Sequence, residues 1–539
     1  MKKTYIIIAV AISVIVSACD KFLDTMPDNR AKIDSQEKIQ KLLVSAYPDT
    51  DYMLLTEFLS DNVDDFGKNN PNTDRFIDQV YAWADITESN NESPERLWEN
   101  SYIAIAAANE ALDAIKKMGG VEKTGFYAEQ AEALLCRAYN HFILANVFCM
   151  AYDPETADKY LGIPYIKEPE RTLSPHYHRG TVKDVYDSIA ADIEQALPHV
   201  SDEYYIVPKY HFNAKAAYAF AARFYLYHYE FDKSIEYADK VLGEEPTTML
   251  RDWKEQSTMT QDYDVIVNHY VEASLNCNLL MMTAYSNLGL AFGPYRIYSR
   301  YAHGQYLAER ETGQAICTLW GGTKRSYWMP MKEYSATNLE KYIFWRLPYL
   351  FEYTDPVAQI GYRRTAYPAF TGDMTLLERA EAQCLKDTPD YEAAAKDLNT
   401  YVRNIANTKD YNIREITVSR IEQYFNDMRY CVWDTSRVKK HLNPSAAMGL
   451  KDNGLHVEGS RQENMIQGVL ALKRLESLGS GLRWFDVKRY GIEIERRIIN
   501  SAGVPGKWTD ILRKDDLRRA SQIPPKVVSA GLEANPRNY

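Results

Sequence analysis

Apolar residues recur at three- and four-residue spacing along most of this chain, and that period predicts helices. From Thr181 to Leu197 the residues Val182, Val185, Tyr186, Ile189, Ile193 and Leu197 trace one face. Thr181 stands ahead of it as a cap with Asp184 three positions on, and Pro198 closes it. Glu95–Met118 and Glu129–Tyr152 read as further long helices. Two helix pairs look alike: Asn213–His228 followed by Asp232–Leu242, and Thr375–Lys386 followed by Asp390–Ala406. In each pair the first helix is rich in small residues (Ala216, Ala217, Ala219, Ala221 and Ala222 in one, Ala380 and Ala382 in the other), and a short turn leads to an amphipathic second helix. Small residues let two antiparallel helices approach closely, which is the grammar of a tetratricopeptide-like repeat. The units are unevenly spaced, so they predict a scaffold and not an uninterrupted solenoid.

The helical period fades between Arg251 and Tyr367. Glycines 289, 293, 304, 313, 321 and 322 punctuate that stretch, with Pro294, Pro330, Pro348 and Pro356. Long loops with a few short strands are expected there, and long loops on a rigid scaffold commonly carry binding. A second irregular stretch covers His441–Gly459. The expected fold is therefore mostly α: a tetratricopeptide-like helix-pair scaffold, about 95–250 and 374–500, with a large loop-rich insertion at about 251–373 and a few short strands.

The first residues change the picture. Lys2-Lys3, an apolar run from Tyr5 to Val16, and then Ser17-Ala18 form a secretory signal. The run is too short to span a bilayer, which takes about 20 apolar residues. Val16-Ser17-Ala18-Cys19 reads as a lipoprotein box, in which the peptide 1–18 is removed and Cys19 is acylated; the plain alternative is an ordinary signal with Cys19 incidental. Residues 19–35 then form an extended lipidated leader, and 36–539 a single body. A net charge of −11 argues against nucleic acid as partner. The other six cysteines, Cys136, Cys149, Cys277, Cys317, Cys384 and Cys431, contain no CxxC spacing and read as small buried hydrophobes, with one or two disulfides left open. Tyrosine is the compositional outlier at 41 of 539 residues. Aromatic rings with polar tips suit wet interfaces and sugar faces, and equally helix–helix seams.

Several stretches together resemble the SusD/RagB family of outer-membrane lipoproteins. They are Cys19-Asp20-Lys21-Phe22-Leu23-Asp24, Leu97-Trp98 with Tyr102, Ile105 and Asn109, Glu132-Ala133-Leu134 with Arg137-Ala138-Tyr139, and Ile163-Pro164. Later come Leu377 to Ala382, Leu398-Asn399 with Arg403, Arg483-Trp484-Phe485-Asp486-Val487-Lys488-Arg489-Tyr490-Gly491, and a close on Asn535-Pro536-Arg537-Asn538-Tyr539. The resemblance spans nearly all of the expected mature chain. It implies a cell-surface lipoprotein that captures an oligosaccharide and delivers it to a SusC-like TonB-dependent outer-membrane barrel, without catalysis and without a cofactor. In some members of the family the ligand is a peptide.

Holding a sugar without cutting it needs flat apolar faces ringed by hydrogen-bonding groups. Two clusters offer that mixture: Asp64, Asp65, Arg75, Tyr81 and Trp83, and Trp320, Tyr327, Trp328 and Tyr334. Each of these aromatics could instead fill a small core. Trp98, Trp484 and Phe485 read as core, while Arg137, Arg379 and Arg483 read as partners of acidic residues on neighbouring helices. His176 and His178 lack a third metal ligand, and Asn62-Val63-Asp64-Asp65 lacks calcium-loop spacing, so no metal site is expected. Competing readings are a glycoside hydrolase, a peptide binder of the same architecture, and an assembly module with no ligand of its own. No G-x-S-x-G or H-E-x-x-H occurs.

Overall fold

Thr181 and Asp184 cap a helix reciprocally. The Asp184 amide donates to Thr181 Oγ1 at 3.1 Å, and the Thr181 amide donates to Asp184 Oδ2 at 2.8 Å. That helix is one of a row that forms the scaffold of the computed structural model, which describes residues 33–537 apart from 173–174, 297, 330, 337–338, 431–436, 445–447 and 449–457. The signal, Cys19 and most of the leader lie outside the described residues, as do Cys431 and most of His441–Gly459.

The principal helices are α1 (Gln36–Leu43), α2 (Pro94–Lys117), α3 (Tyr127–Phe148), α4 (Val182–Ala196), α5 (Ala214–Tyr227), α6 (Phe231–Leu242), α7 (Gly372–Leu385), α8 (Tyr391–Ile405), α9 (Arg461–Glu476) and α10 (Arg483–Arg489). Helix α2 packs on α3 and α3 on α4; α5 packs on α6, α6 on α7, and α7 on α8 and α9. The two look-alike pairs are thus neighbours in space although an insertion separates them in sequence. Ala216, Ala217, Ala219, Ala221 and Ala222 of α5 are fully buried, and Ser234 of α6 comes close enough to donate to the Ala222 carbonyl at 2.8 Å.

Buried ion pairs bolt the row together. Arg137 of α3 grips Asp192 of α4 through two 2.7 Å bonds. Arg223 of α5 meets Glu378 of α7 at 2.6 Å. Arg379 of α7 reaches Asp397 of α8 at 2.7 Å and Asp239 of α6 at 2.7 Å. Arg483 of α10 holds Asp61 at 2.8 Å. Arg137 and Arg379 pair with neighbouring helices as expected, Arg483 pairs with an aspartate in the turn after the helix Met53–Leu59, and Trp98, Trp484 and Phe485 lie in the main core. Five cysteines, 136, 149, 277, 317 and 384, are buried and unbridged. Among the described residues no helix is long and apolar enough to cross a membrane.

The insertion is more regular than its sequence suggests. Strand β1 (Asp64–Asp65) lies ahead of it, and within it run β2 (Asn278–Tyr285), β3 (Tyr301–Ala302), β4 (Met331–Ala336), β5 (Leu339–Phe344), β6 (Leu350–Asp355) and β7 (Ile360–Thr371). Short strands β8 (Arg429–Tyr430) and β9 (Val438–Lys439) follow, then the hairpin β10 (Ile494–Ile499) and β11 (Pro505–Leu512). One sheet runs β2-β7-β6, another β11-β10-β1-β3, and β4–β5 is a hairpin of its own. The expected loops at 251–373 are therefore partly strands. Residues Asn278–Met282 are buried on both faces, and the β6–β7 arm is exposed on both faces, so neither shows the alternation that marks a half-buried strand.

The root of the insertion is pinned. The Arg251 guanidinium donates to the Tyr270 carbonyl and to Asn278 Oδ1 at the start of β2, while the Arg251 amide donates to Asp373 just past the end of β7. Thr371 ends β7 and caps α7 in the same residue. Gly372 is required at that junction, because a Cβ there would lie 1.9 Å from the Met249 carbonyl oxygen.

Candidate functional site

A run of aromatic side chains interleaved with polar groups lies on the insertion, rooted in the buried Trp345 and Tyr263 and exposed at Tyr295, Phe351 and Tyr353. It begins at Tyr334, whose hydroxyl accepts from Trp345 Nε1 at 3.1 Å. Trp345 meets Tyr263 edge-on at 5.7 Å between centroids, Tyr263 meets Tyr295 at 5.5 Å, and Tyr295 meets Tyr349 at 5.5 Å. Tyr349 accepts from Arg363 Nε at 3.2 Å. Arg363 stands opposite Phe351 in the β6–β7 register, and Phe351 lies 4.8 Å from Tyr353. Tyr295 and Tyr353 are each about half exposed, at 50% and 52%, and Phe351 is exposed at its edge.

Local sequence builds this face. Residues 349, 351 and 353 alternate onto one side of the strand. Gly361 sits opposite Tyr353, and a Cβ on it would come 2.8 Å from the Phe351 ring, so glycine lets that ring lie flat across the hairpin. At the tip, Asp355 Oδ1 accepts from the amides of Val357 and Ala358 and turns the chain back. Beneath the face, Arg363 donates to Asn287 Oδ1 at 2.8 Å, and Asn287 donates to the buried Glu92 carboxyl at 3.0 and 3.1 Å. Flat rings beside a guanidinium, amides and phenol hydroxyls can stack on pyranose C–H faces and hydrogen-bond to hydroxyls.

Burial pushes the Glu92 carboxyl up to about 7 from its ordinary 4.5. A raised folded-state value means that ionisation is resisted in the native protein, so the stability this group supports is complete below 4.5 and is lost as pH climbs through 7. Glu92→Gln is expected to flatten the decline of urea midpoints across that window. An unchanged slope would show that Glu92 does not carry it.

The residues singled out from sequence fall in different places. Asp64 is buried and bonded to Arg497 at 2.8 Å; Asp65 is buried and bonded to Arg300 at 2.8 Å. Tyr81 stacks on Tyr301 at 4.2 Å and donates to the Arg497 carbonyl. Trp83 donates to the Leu59 carbonyl, and Arg496 lies between Trp83 and Tyr81 at 4.1 Å from each ring. These four therefore come together, spent on protein partners. Trp83 also borders a groove of about 650 Å³ with Arg518 and Glu88, and its φ of 51° is unusual for a non-glycine residue. Arg75 stands apart, exposed and paired with Glu88. Trp320 is fully buried against Tyr327, which donates to the Gly313 carbonyl, and Trp328 is half-buried at the edge of the main core. Tyr334 alone of the nine joins the aromatic run. The missed members are Tyr263, Tyr295, Trp345, Tyr349, Phe351, Tyr353 and Arg363, and those of the β6–β7 hairpin had one usable signal. Tyr353-Thr354-Asp355-Pro356 followed by Ile360-Gly361-Tyr362 is a turn flanked by strand-forming residues.

Among the described residues no group of three or more His, Cys, Asp or Glu could hold a metal ion. His176 and His178 lie exposed on their loop.

The comparisons show what this helix-pair scaffold and its insertion are similar to. Residues 21–226 match the model of the SusD-like family described as starch-binding and associating with the outer membrane. No curated protein matches the chain. A SusD superfamily protein of Bacteroides vulgatus superposes with a TM-score of 0.59 at 18% identity, covering 93% of this chain and 98% of its own. A SusD superfamily protein of Bacteroides thetaiotaomicron does so with 0.60 at 18%, covering 93% and 99%. A protein of Bacteroides vulgatus described as sugar binding gives 0.62 at 16%, covering 94% and 99%. The resemblance drawn from the motifs is borne out: the described chain has the SusD fold.

Proposed function

We propose that this chain is a cell-surface, lipid-anchored glycan-binding protein that captures an oligosaccharide and passes it intact to a TonB-dependent outer-membrane transporter. The observation that carries the reading is the run Tyr334–Trp345–Tyr263–Tyr295–Tyr349–Phe351–Tyr353, with Arg363 and Asn287 at its polar edge, mounted on a SusD fold. The match of residues 21–226 to a starch-binding, outer-membrane-associated family supports the ligand class and the location. The lipoprotein box at Cys19 supports the anchor. Binding needs no acid–base pair, and the ring hydroxyls and amides here are fitted to hold hydroxyl groups and not to transfer protons.

Calorimetry of the purified protein against a panel of soluble polysaccharides tests this, with each mixture then separated by size. Heat from at least one glycan with its chain length unchanged is the expected result. Shortened products would make the protein a hydrolase, and no heat from any glycan would defeat the reading.

A further inference from the structure

A small polar cavity of about 50 Å³ lies where the insertion meets the end of the scaffold, and it shares no residue with the aromatic face. Arg310 and Glu311 line it from the insertion, Lys440 from the segment after β9, Arg474 from α9 and Arg483 from α10. The charges around it do not cancel. Three buried carboxylates, Asp61, Asp64 and Glu311, stand among four cations, Arg474, Arg483, Arg497 and Lys440. Arg483 donates to both oxygens of Asp61 at 2.8 and 2.9 Å. Arg497 donates to Asp64 at 2.8 Å and to Glu311 Oε1 at 3.0 Å, and Arg474 donates to Glu311 Oε2 at 3.1 Å. Lys440 is the cation left over. Its side chain is only 15% exposed, and the carboxylate it pairs with, Glu311 at 3.5 Å, already accepts from an arginine on each oxygen. Asp64 Oδ2 is buried without a hydrogen bond, but Asp64 does not line the cavity. A further buried carboxyl, Glu57, is spent on Asn62 and on the amides of Gly479 and Gly481, and burial pushes it up toward its neutral form. Lys439, next in the chain, has Glu463 at 3.6 Å.

Two donors at this cavity find no acceptor among the described residues. Lys440 Nζ makes no hydrogen bond there, and neither does Nη1 of Arg483, a residue only 3% exposed. Lysine and arginine side chains offer donors only, so neither group can satisfy the other. Water would accept from both but leave the surplus charge buried, and an uncompensated buried charge is strongly destabilising. An anion meets both needs. The volume admits a single small ion and excludes a sugar ring.

We propose that this cavity binds one small monovalent anion, of the size and charge of chloride, held by the Lys440 ammonium and Arg483 Nη1. The ion cancels the charge that Lys440 adds and bridges the segment after β9 to α10. This site is independent of the glycan assigned to the aromatic face, and neither reading depends on the other.

The test uses the full chain with bromide and chloride as probes. Crystals soaked in sodium bromide should show an anomalous peak at the bromine edge in contact with Lys440 Nζ and Arg483 Nη1. In solution, raising chloride from about 1 to about 100 mM, with gluconate holding the ionic strength constant, should raise Tm by about 1–3 °C. Lys440→Met leaves three carboxylates against three arginines. Its Tm in gluconate should be at least that of the native protein, and its response to chloride should vanish. Bromide found only on the exposed surface, a cavity holding water alone, or an equal chloride response in the variant would overturn the proposal. The bromide experiment acts on the unaltered protein, so a variant that fails to fold does not leave the question open.

Discussion

Glu381→Ala should cost about 3–5 kcal/mol of stability, since removing one member of a buried ion network leaves two buried cations sharing a single carboxylate. Glu381 sits on α7 with no exposed surface. It binds Lys473 of α9 at 2.6 Å, Arg489 of α10 at 2.8 Å, and the Tyr490 hydroxyl at 2.8 Å. Without it, Asp486 remains the carboxylate that binds both Lys473 and Arg489. Burial alone would push the Glu381 carboxyl up, but Arg489 and Lys473 outweigh burial and hold it down at about 2, below its ordinary 4.5. A depressed folded-state value contributes stability that is present above pH 4.5 and lost as pH falls toward 2. Urea unfolding followed by tryptophan fluorescence should show the loss at neutral pH, and the difference between the native protein and Glu381→Ala should shrink on acidification. A cost under about 1 kcal/mol would mean that the network is no stronger than a surface pair.

The second large effect concerns ligand. Replacing Tyr295 and Tyr353 together by alanine should reduce affinity for the bound glycan by more than about tenfold, because each exposed ring offers a stacking face worth roughly 0.5–1.5 kcal/mol beyond its area. Both side chains are about half exposed. Stability should therefore move by no more than about 0.5 kcal/mol. Trp320→Ala is the informative contrast. That ring is fully buried, so its loss should act through stability, at about 3–5 kcal/mol. Equal binding by the Tyr295/Tyr353 double variant and the native protein would remove the ligand from the aromatic face.

The scaffold was legible because its signals are local. Thr181 with Asp184, the alanines of α5, and arginines set among apolar helix positions each constrain neighbours within a turn or across one seam. The insertion was less legible, because its strands are set by partners far away in sequence. Thr283 of β2 pairs with Ala366 of β7, and Asp65 of β1 with Ile498 of β10. Aromatic composition marked the right region but not the right residues. A tryptophan such as Trp320 or Trp83 reads the same in sequence whether it plugs a core or faces solvent, and here both are buried. Phe351 and Tyr353 face outward because the β6–β7 hairpin projects beyond the core, a fact of topology and not of residue type, and Tyr295 joins them from the turn Pro294–Arg296.

The most direct measurement is a crystal structure of the protein soaked with an oligosaccharide that calorimetry has shown to bind. Intact sugar rings stacked on Tyr295, Tyr349, Phe351 or Tyr353, with hydroxyls meeting Arg363 or Asn287, is the predicted result. A sugar seated elsewhere with those rings bare, or a cleaved product in the site, would contradict it.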